Sequence, residues 1–127
     1  MAARVATQFR SNLRGFWSVH FWLILLFVVA VLADCASTIF FMLRDGYESE
    51  LHPVFRLAAA HFGCVVGPLL GAGMKIVLGL LVCIYLRKVA PMILLATAMI
   101  SVWAATHNLG GVDTRYFVRL VAFIMGA

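Results

Sequence analysis

The chain has 127 residues, of which 65% are hydrophobic and 12% charged, and its formal net charge is +5. A mean hydropathy of +1.05 is more apolar surface than a soluble domain of this size can bury, so composition excludes a water-soluble globular protein and implies an integral membrane protein. The positive charge comes with no basic block and no nucleic-acid motif; it fits membrane topology and contact with anionic lipid, and nucleic acid is not an expected partner.

In chain order, residues 1–15 carry Arg4, Arg10 and Arg14, with Val5, Phe9 and Leu13 spaced four apart. That is the pattern of a short amphipathic helix lying on a membrane surface. The first predicted span covers 16–43 and opens with Phe16, Trp17, Phe21 and Trp22, residues suited to the interface. It is long for a hydrocarbon core of about 30 Å and must tilt or project, and its apolar run exceeds the about 7–15 residues of a signal peptide. The stretch Leu32-Ala33-Asp34-Cys35 only loosely resembles a lipoprotein cleavage site, because aspartate stands where a small residue is needed. His20, between Trp17 and Trp22, reads as an interfacial anchor.

Residues 44–64 form a predicted polar outer loop, with a turn at Asp45-Gly46 and a short helix starting at Pro53 and running to His61. The second span is predicted over 65–86, the tight basic connection is Arg87-Lys88, and the third span covers 89–107 with Pro91 tolerated in its first turn. Gly110-Gly111 is a hinge, after which Asp113 or Thr114 caps a short C-terminal helix over 112–127. At roughly 20 Å of helix it is too short to cross, so a half-inserted or interfacial placement is expected. The expected fold class is therefore all-α: a polytopic integral membrane protein of one domain, with three transmembrane helices, an N-terminal interfacial helix and a short C-terminal helix.

Basic residues set the expected orientation. With the N-terminus in the cytoplasm, Arg4, Arg10, Arg14, Arg87 and Lys88 lie inside, while Arg44, Arg56, Arg115 and Arg119 lie outside. This narrow bias favours a multi-pass protein of the cell membrane, of bacterial inner-membrane type, with its N-terminus cytoplasmic.

Lys75 is the sole charge between Val65 and Leu86, and a charge at mid-membrane costs at least about 2.5–3.5 kcal/mol, so it needs a partner. Asp34, in the first apolar run, is the obvious one. Gly67, Gly71, Lys75, Gly79 and Cys83 recur every four residues and share one helix face. Gly67, Gly71 and Gly79 would let another helix approach closely. On the first span Ala30, Ala33, Asp34, Ser37 and Thr38 share a face, and on the third Thr97, Ser101, Ala104 and Asn108 do. Three helices thus turn small or polar stripes to a common axis, and Asp34, Ser37, Thr38, Lys75, Ser101 and Asn108 are the predicted polar core. Its bland reading is a buried ion pair that sets helix register; its functional reading is a coupled proton or ligand site.

A second cluster is expected at the outer face. Glu50, His52 and His107 are candidate ligand-binding residues, and together with His61 they are candidate ligands for a transition metal. Against this, no two of these histidines have helical i,i+3 or i,i+4 spacing and there is no H-E-x-x-H, so capping and loop-pinning roles compete; no cofactor is specified. Cys35, Cys64 and Cys83 stand far apart without C-x-x-C, so they read as small apolar filler.

The sequence Asp34, Ser37-Thr38, Glu50-Leu51-His52-Pro53, Lys75 and Asn108 resembles the Asp…Thr, Glu-x-Asn-Pro, Lys, Asn pattern of a family of small three-span prokaryotic membrane proteins of unknown function. The resemblance covers roughly residues 25–110 and implies the topology and the polar core but no activity. His52 departs from the pattern's asparagine, which substitutes a titratable, metal-competent side chain for a helix cap.

No G-x-S-x-G and no phosphate loop occurs. An aspartic dyad needs two carboxylates, and Asp34 is alone in its span. The expected function is that of a subunit or homo-oligomeric module of a larger membrane complex. The alternatives are a homo-oligomeric proton- or ion-coupled transporter and, third, an intramembrane hydrolase using Glu50, His52 and His107.

Overall fold

The computed structural model describes residues 1–46, 48, 53–109, 122–123 and 126. Regular structure among the described residues is entirely helical. The helices are α1 (Ala2–Leu13), α2 (Phe16–Val19), α3 (Phe21–Asp45), α4 (Pro53–Phe62), α5 (Val66–Tyr85) and α6 (Ala90–Asn108), with a 3-10 turn at Arg87–Val89 between the last two. Three segments are long and apolar enough to cross a membrane: Phe21–Asp45, Val66–Tyr85 and Arg87–Asn108. The predicted hinge and the C-terminal helix over 112–127 fall, but for residues 122, 123 and 126, outside the described residues.

The first span differs from expectation at its start. Instead of one helix from residue 16, the chain turns at Gly15 (φ 68°), makes the single turn α2, and leaves helical geometry again at His20. The break lets Phe16 enter the core completely, at 0% exposure, with the His20 ring against it at 5.0 Å between centroids. Phe16 and His20 are therefore buried residues and not interfacial anchors, whereas Trp17, Phe21 and Trp22 remain exposed. The break also shifts α3 along the chain, so Asp34 falls one residue past its midpoint. Lys75 lies at the midpoint of α5, and its Nζ reaches Asp34 Oδ2 at 3.4 Å.

Chain order does not dictate packing. α3 and α6, distant in sequence, form the most extensive helix pair, and α4 and α5 the next. Asn108 at the end of α6 meets the C-terminal half of α3, so these two helices run parallel while α5 runs against them. Phe27, Val31, Cys35, Ala72, Cys83, Ile84 and Leu94 fill the space between. Much of the remaining apolar surface, including Val29, Leu78, Met99 and Ile100, faces outward; a bundle this small covers one stripe of each helix and leaves the rest exposed.

The helix predicted from Pro53 is present, but it does not sit beyond the ends of the long helices. Gly63 (φ 91°) reverses the chain between α4 and α5, and α4 then runs back alongside α5. A Cβ on Gly67 would lie 2.6–2.7 Å from the backbone of Ala58 and Ala59, and one on Gly71 would overlap the Phe55 ring. These contacts fix an antiparallel register in which each four-residue step down α5 is a four-residue step back along α4. With 10 residues, about 15 Å of helix, α4 covers the first half of α5. Val54, Leu57 and Phe62 are exposed on it, and the bare backbone at Gly67 and Gly71 is what admits it.

Candidate functional site

At mid-bundle, Lys75 Nζ donates to Ser101 Oγ at 2.8 Å and to Asp34 Oδ2 at 3.4 Å. Three helices are joined through one ammonium group, with two of its three N–H bonds used among the described residues. The Asp34 side chain is 8% exposed and that of Lys75 29%, while Ser101 is fully enclosed. The shorter contact is to the serine, so the hydroxyl fixes the position of the ammonium and the carboxylate supplies the opposite charge. A buried carboxylate or ammonium alone would cost several kcal/mol of desolvation, which this arrangement offsets through charge and hydrogen bonds together.

One turn further along α3 a second polar contact ties the same helices. Asn108 Nδ2 donates to Thr38 Oγ1 at 3.0 Å and to Ser37 Oγ at 3.3 Å. Ser37 has already committed its own proton to the Asp34 carbonyl at 2.8 Å, so its oxygen is left as an acceptor, which suits an amide donor. Ser37 and Thr38 are buried. All six residues predicted for the polar core are thus brought together: Asp34, Ser37 and Thr38 from α3, Lys75 from α5, Ser101 and Asn108 from α6.

The predicted faces depart from expectation in three ways. Ala33 is exposed, because the face that α3 turns inward is narrower than the stripe its small residues mark. Thr97 is half-buried and returns its hydroxyl to the Ile93 carbonyl of its own helix at 2.7 Å. The glycine face of α5 is divided between partners: Gly67 and Gly71 receive α4, while a Cβ on Gly79 would meet the Phe27 ring of α3 at 2.9 Å.

The predicted second cluster falls only in part within the described residues. Glu50 and His52 lie outside them. His61 is exposed, with Nδ1 2.9 Å from the Leu57 carbonyl, and His107 is exposed and stacked on Trp103 at 5.7 Å. Among the described residues no three His, Cys, Asp or Glu side chains gather as a metal site would require.

One contact set has no counterpart in the sequence pattern. Arg87 Nη1 donates to the carbonyls of Asn12 (3.0 Å) and Arg14 (2.7 Å), at the end of α1, and Asn12 Nδ2 donates to the Tyr85 carbonyl, at the end of α5, at 3.0 Å. α1 and the 3-10 turn after α5 thereby supply the side chains that satisfy unpaired terminal carbonyls at each other's helix end. No spacing rule connects residues 12 and 87; the one available signal was an asparagine near a predicted helix end.

The fold and the site define a helical bundle with three helices of membrane-spanning length joined through a charged, hydrogen-bonded core. Compared with protein-family models, with curated proteins and with solved structures, the chain matches none.

Proposed function

We propose that the chain is a multi-pass integral membrane protein that acts as a structural module, either a subunit of a larger assembly or a homo-oligomer, with the Asp34–Lys75–Ser101 contact as its organising core. The observation that carries this reading is the closure of charge within one chain. Asp34 is nearly enclosed and has Lys75 at 3.4 Å, so the core meets its own electrostatic need and ties three helices without an external ion. Purification from the native membrane in mild detergent, with mass determination and identification of copurifying chains, tests it. A defined set of partners or a stable homo-oligomer is expected; a monomer that copurifies with nothing overturns the reading.

The orientation that goes with this proposal puts the N-terminus in the cytoplasm. Cys64, half-buried at the turn between α4 and α5, is a native reporter, since Cys35 and Cys83 are buried. A membrane-impermeant maleimide added to intact spheroplasts should label Cys64; labelling confined to inverted vesicles overturns the orientation.

Ion- or proton-coupled transport by two or more copies is a second reading, favoured by one observation. Lys75 keeps part of its side chain exposed, and the half-length α4, in register with α5, brings Phe55 to the turn next to Lys75. Half-helices whose ends line a substrate or ion site near the bilayer midplane recur in transporters. Replacing Asp34 and Lys75 together by apolar residues separates the two: a structural core tolerates the exchange, whereas a coupling site folds and loses ion flux in proteoliposomes. No observation among the described residues favours a hydrolase or a metal site at Glu50, His52, His61 and His107, and neither is proposed.

A further inference from the structure

We infer that the end of the bundle formed by α1, α2 and the α5–α6 turn is a docking surface for anionic phospholipid headgroups, with α1 held in place to lie among them. The inference rests on the reading that α3, α5 and α6 cross a bilayer. It starts from charge. Arg4, Arg10, Arg14, Arg87 and Lys88 all belong to this end, and the sequence contains no aspartate or glutamate before Asp34, nor any between Glu50 and Asp113. Asp34 itself is at mid-bundle with Lys75. The opposite end is mixed: Arg44 pairs with Asp45 at 2.6 Å, and Glu48 is close in sequence.

Four of the five cations are available. Arg87 is engaged with the carbonyls of Asn12 and Arg14, while Arg4, Arg10, Arg14 and Lys88 are exposed, and among the described residues none of the four has an ion-pair partner. Phosphate is a chemistry this set suits: several cations, no competing carboxylate, and guanidinium groups that bind it bidentately.

The apolar half of the surface selects a bilayer over a soluble anion. Leu13 and Phe9 turn partly into the core, but Met1, Ala2, Val5 and Ala6 continue the same strip uncovered, next to Arg10. A helix with a protein-anchored C-terminal end, a bare apolar strip and flanking arginines has the composition of an interfacial helix. Trp17, Phe21 and Trp22 are exposed at the same end, where aromatic rings mark headgroup level. The reciprocal Asn12–Tyr85 and Arg87–α1 hydrogen bonds fix the C-terminal end of α1 beside Lys88, so the arginines and the lysine are presented together and not on a free tail.

The test uses the full chain in lipid nanodiscs, carrying Cys64→Ser and Val5→Cys labelled with an environment-sensitive dye. Discs of phosphatidylcholine alone are compared with discs containing phosphatidylglycerol. The expected result is a blue-shifted emission that grows with phosphatidylglycerol fraction and reverses in 0.5 M salt, with the ratio of docked to undocked α1 that it reports falling on the order of fivefold for each basic residue neutralised. The triple variant Arg4→Gln, Arg10→Gln, Arg14→Gln should respond to neither lipid charge nor salt. Resistance to alkaline carbonate extraction, measured on the parallel vesicle preparation, separates the two layers of the argument. A chain that carbonate strips away defeats the spanning reading. An inserted chain whose emission ignores phosphatidylglycerol defeats the docking surface and assigns the basic end to an acidic protein partner. A response that the triple variant retains overturns the role of these arginines.

Discussion

The two seams on α5 are built from the same stripe of residues and work by opposite physics. Toward α4, Gly67 and Gly71 remove side chains so that a backbone and a phenyl ring can approach; the content of that seam is shape. Toward α3 and α6, Lys75 adds a charge that only Asp34 and Ser101 make tolerable; the content of that seam is satisfaction. The first fails when an atom is added and the second when one is removed. A periodic stripe therefore identifies a buried face but not the kind of contact made there.

The largest expected effect comes from breaking the polar seam on one side. Asp34→Ala leaves Lys75 without its counter-charge and should destabilise the bundle by about 3 kcal/mol, the lower end of the range for a broken buried pair because part of the lysine stays exposed. Unfolding in mixed detergent micelles measures it. Combining Asp34→Leu with Lys75→Met should return stability to within about 1 kcal/mol of the parent; a double variant as unstable as the single one would mean the pair is not what joins these helices.

Adding one methyl group attacks the other seam. Gly67→Ala drives a Cβ into the Ala58–Ala59 backbone and should cost about 1–3 kcal/mol, as overpacking does. The loss should be local, raising hydrogen exchange in α4 while the α3–α6 pair keeps its protection. Uniform loss of protection would show that the two seams are not independent.

Asn108→Ala removes two donors to Ser37 and Thr38 at the half-buried edge of the network and should cost about 1 kcal/mol, read by the same unfolding assay. The smallest effect sharpens the contrast within α5 itself. A Cβ added at Gly73 would meet nothing within 4 Å, so Gly73→Ala should stabilise by about 0.5–1 kcal/mol through helix propensity alone. The same substitution at Gly67 and at Gly73 then differs in sign, which only their neighbours explain.

Much of this was legible from the chain. The three long helices and the short one at Pro53 follow from apolar runs, proline and turn signals; the ends agree to within two residues except at the start of the first span, where α3 begins at Phe21 and not at residue 16. Asp34 and Lys75 could be paired because a lone charge within an apolar run demands a partner and the first apolar run carries a charge of opposite sign. Ser101 and Asn108 followed from the face they share. What could not be read was anything that depends on two remote segments agreeing. The break at His20 depends on the core having room for Phe16. The use of Gly67 and Gly71 for α4, rather than for a span, depends on the turn at Gly63 folding α4 back along α5. The Arg87–Asn12 contact depends on where two helix ends finish.

By itself, the sequence determined that the chain forms apolar helices and that its few polar groups must meet, because desolvation penalises each of them wherever it is buried. The tertiary structure alone decided which groups meet and how closely. Periodicity carries the direction in which a side chain points along its own helix, but not the distance to the helix opposite. That distance is set by packing: by Ser101 standing nearer the ammonium than the carboxylate does, and by two glycines letting the short helix expected in the outer loop lie back along α5.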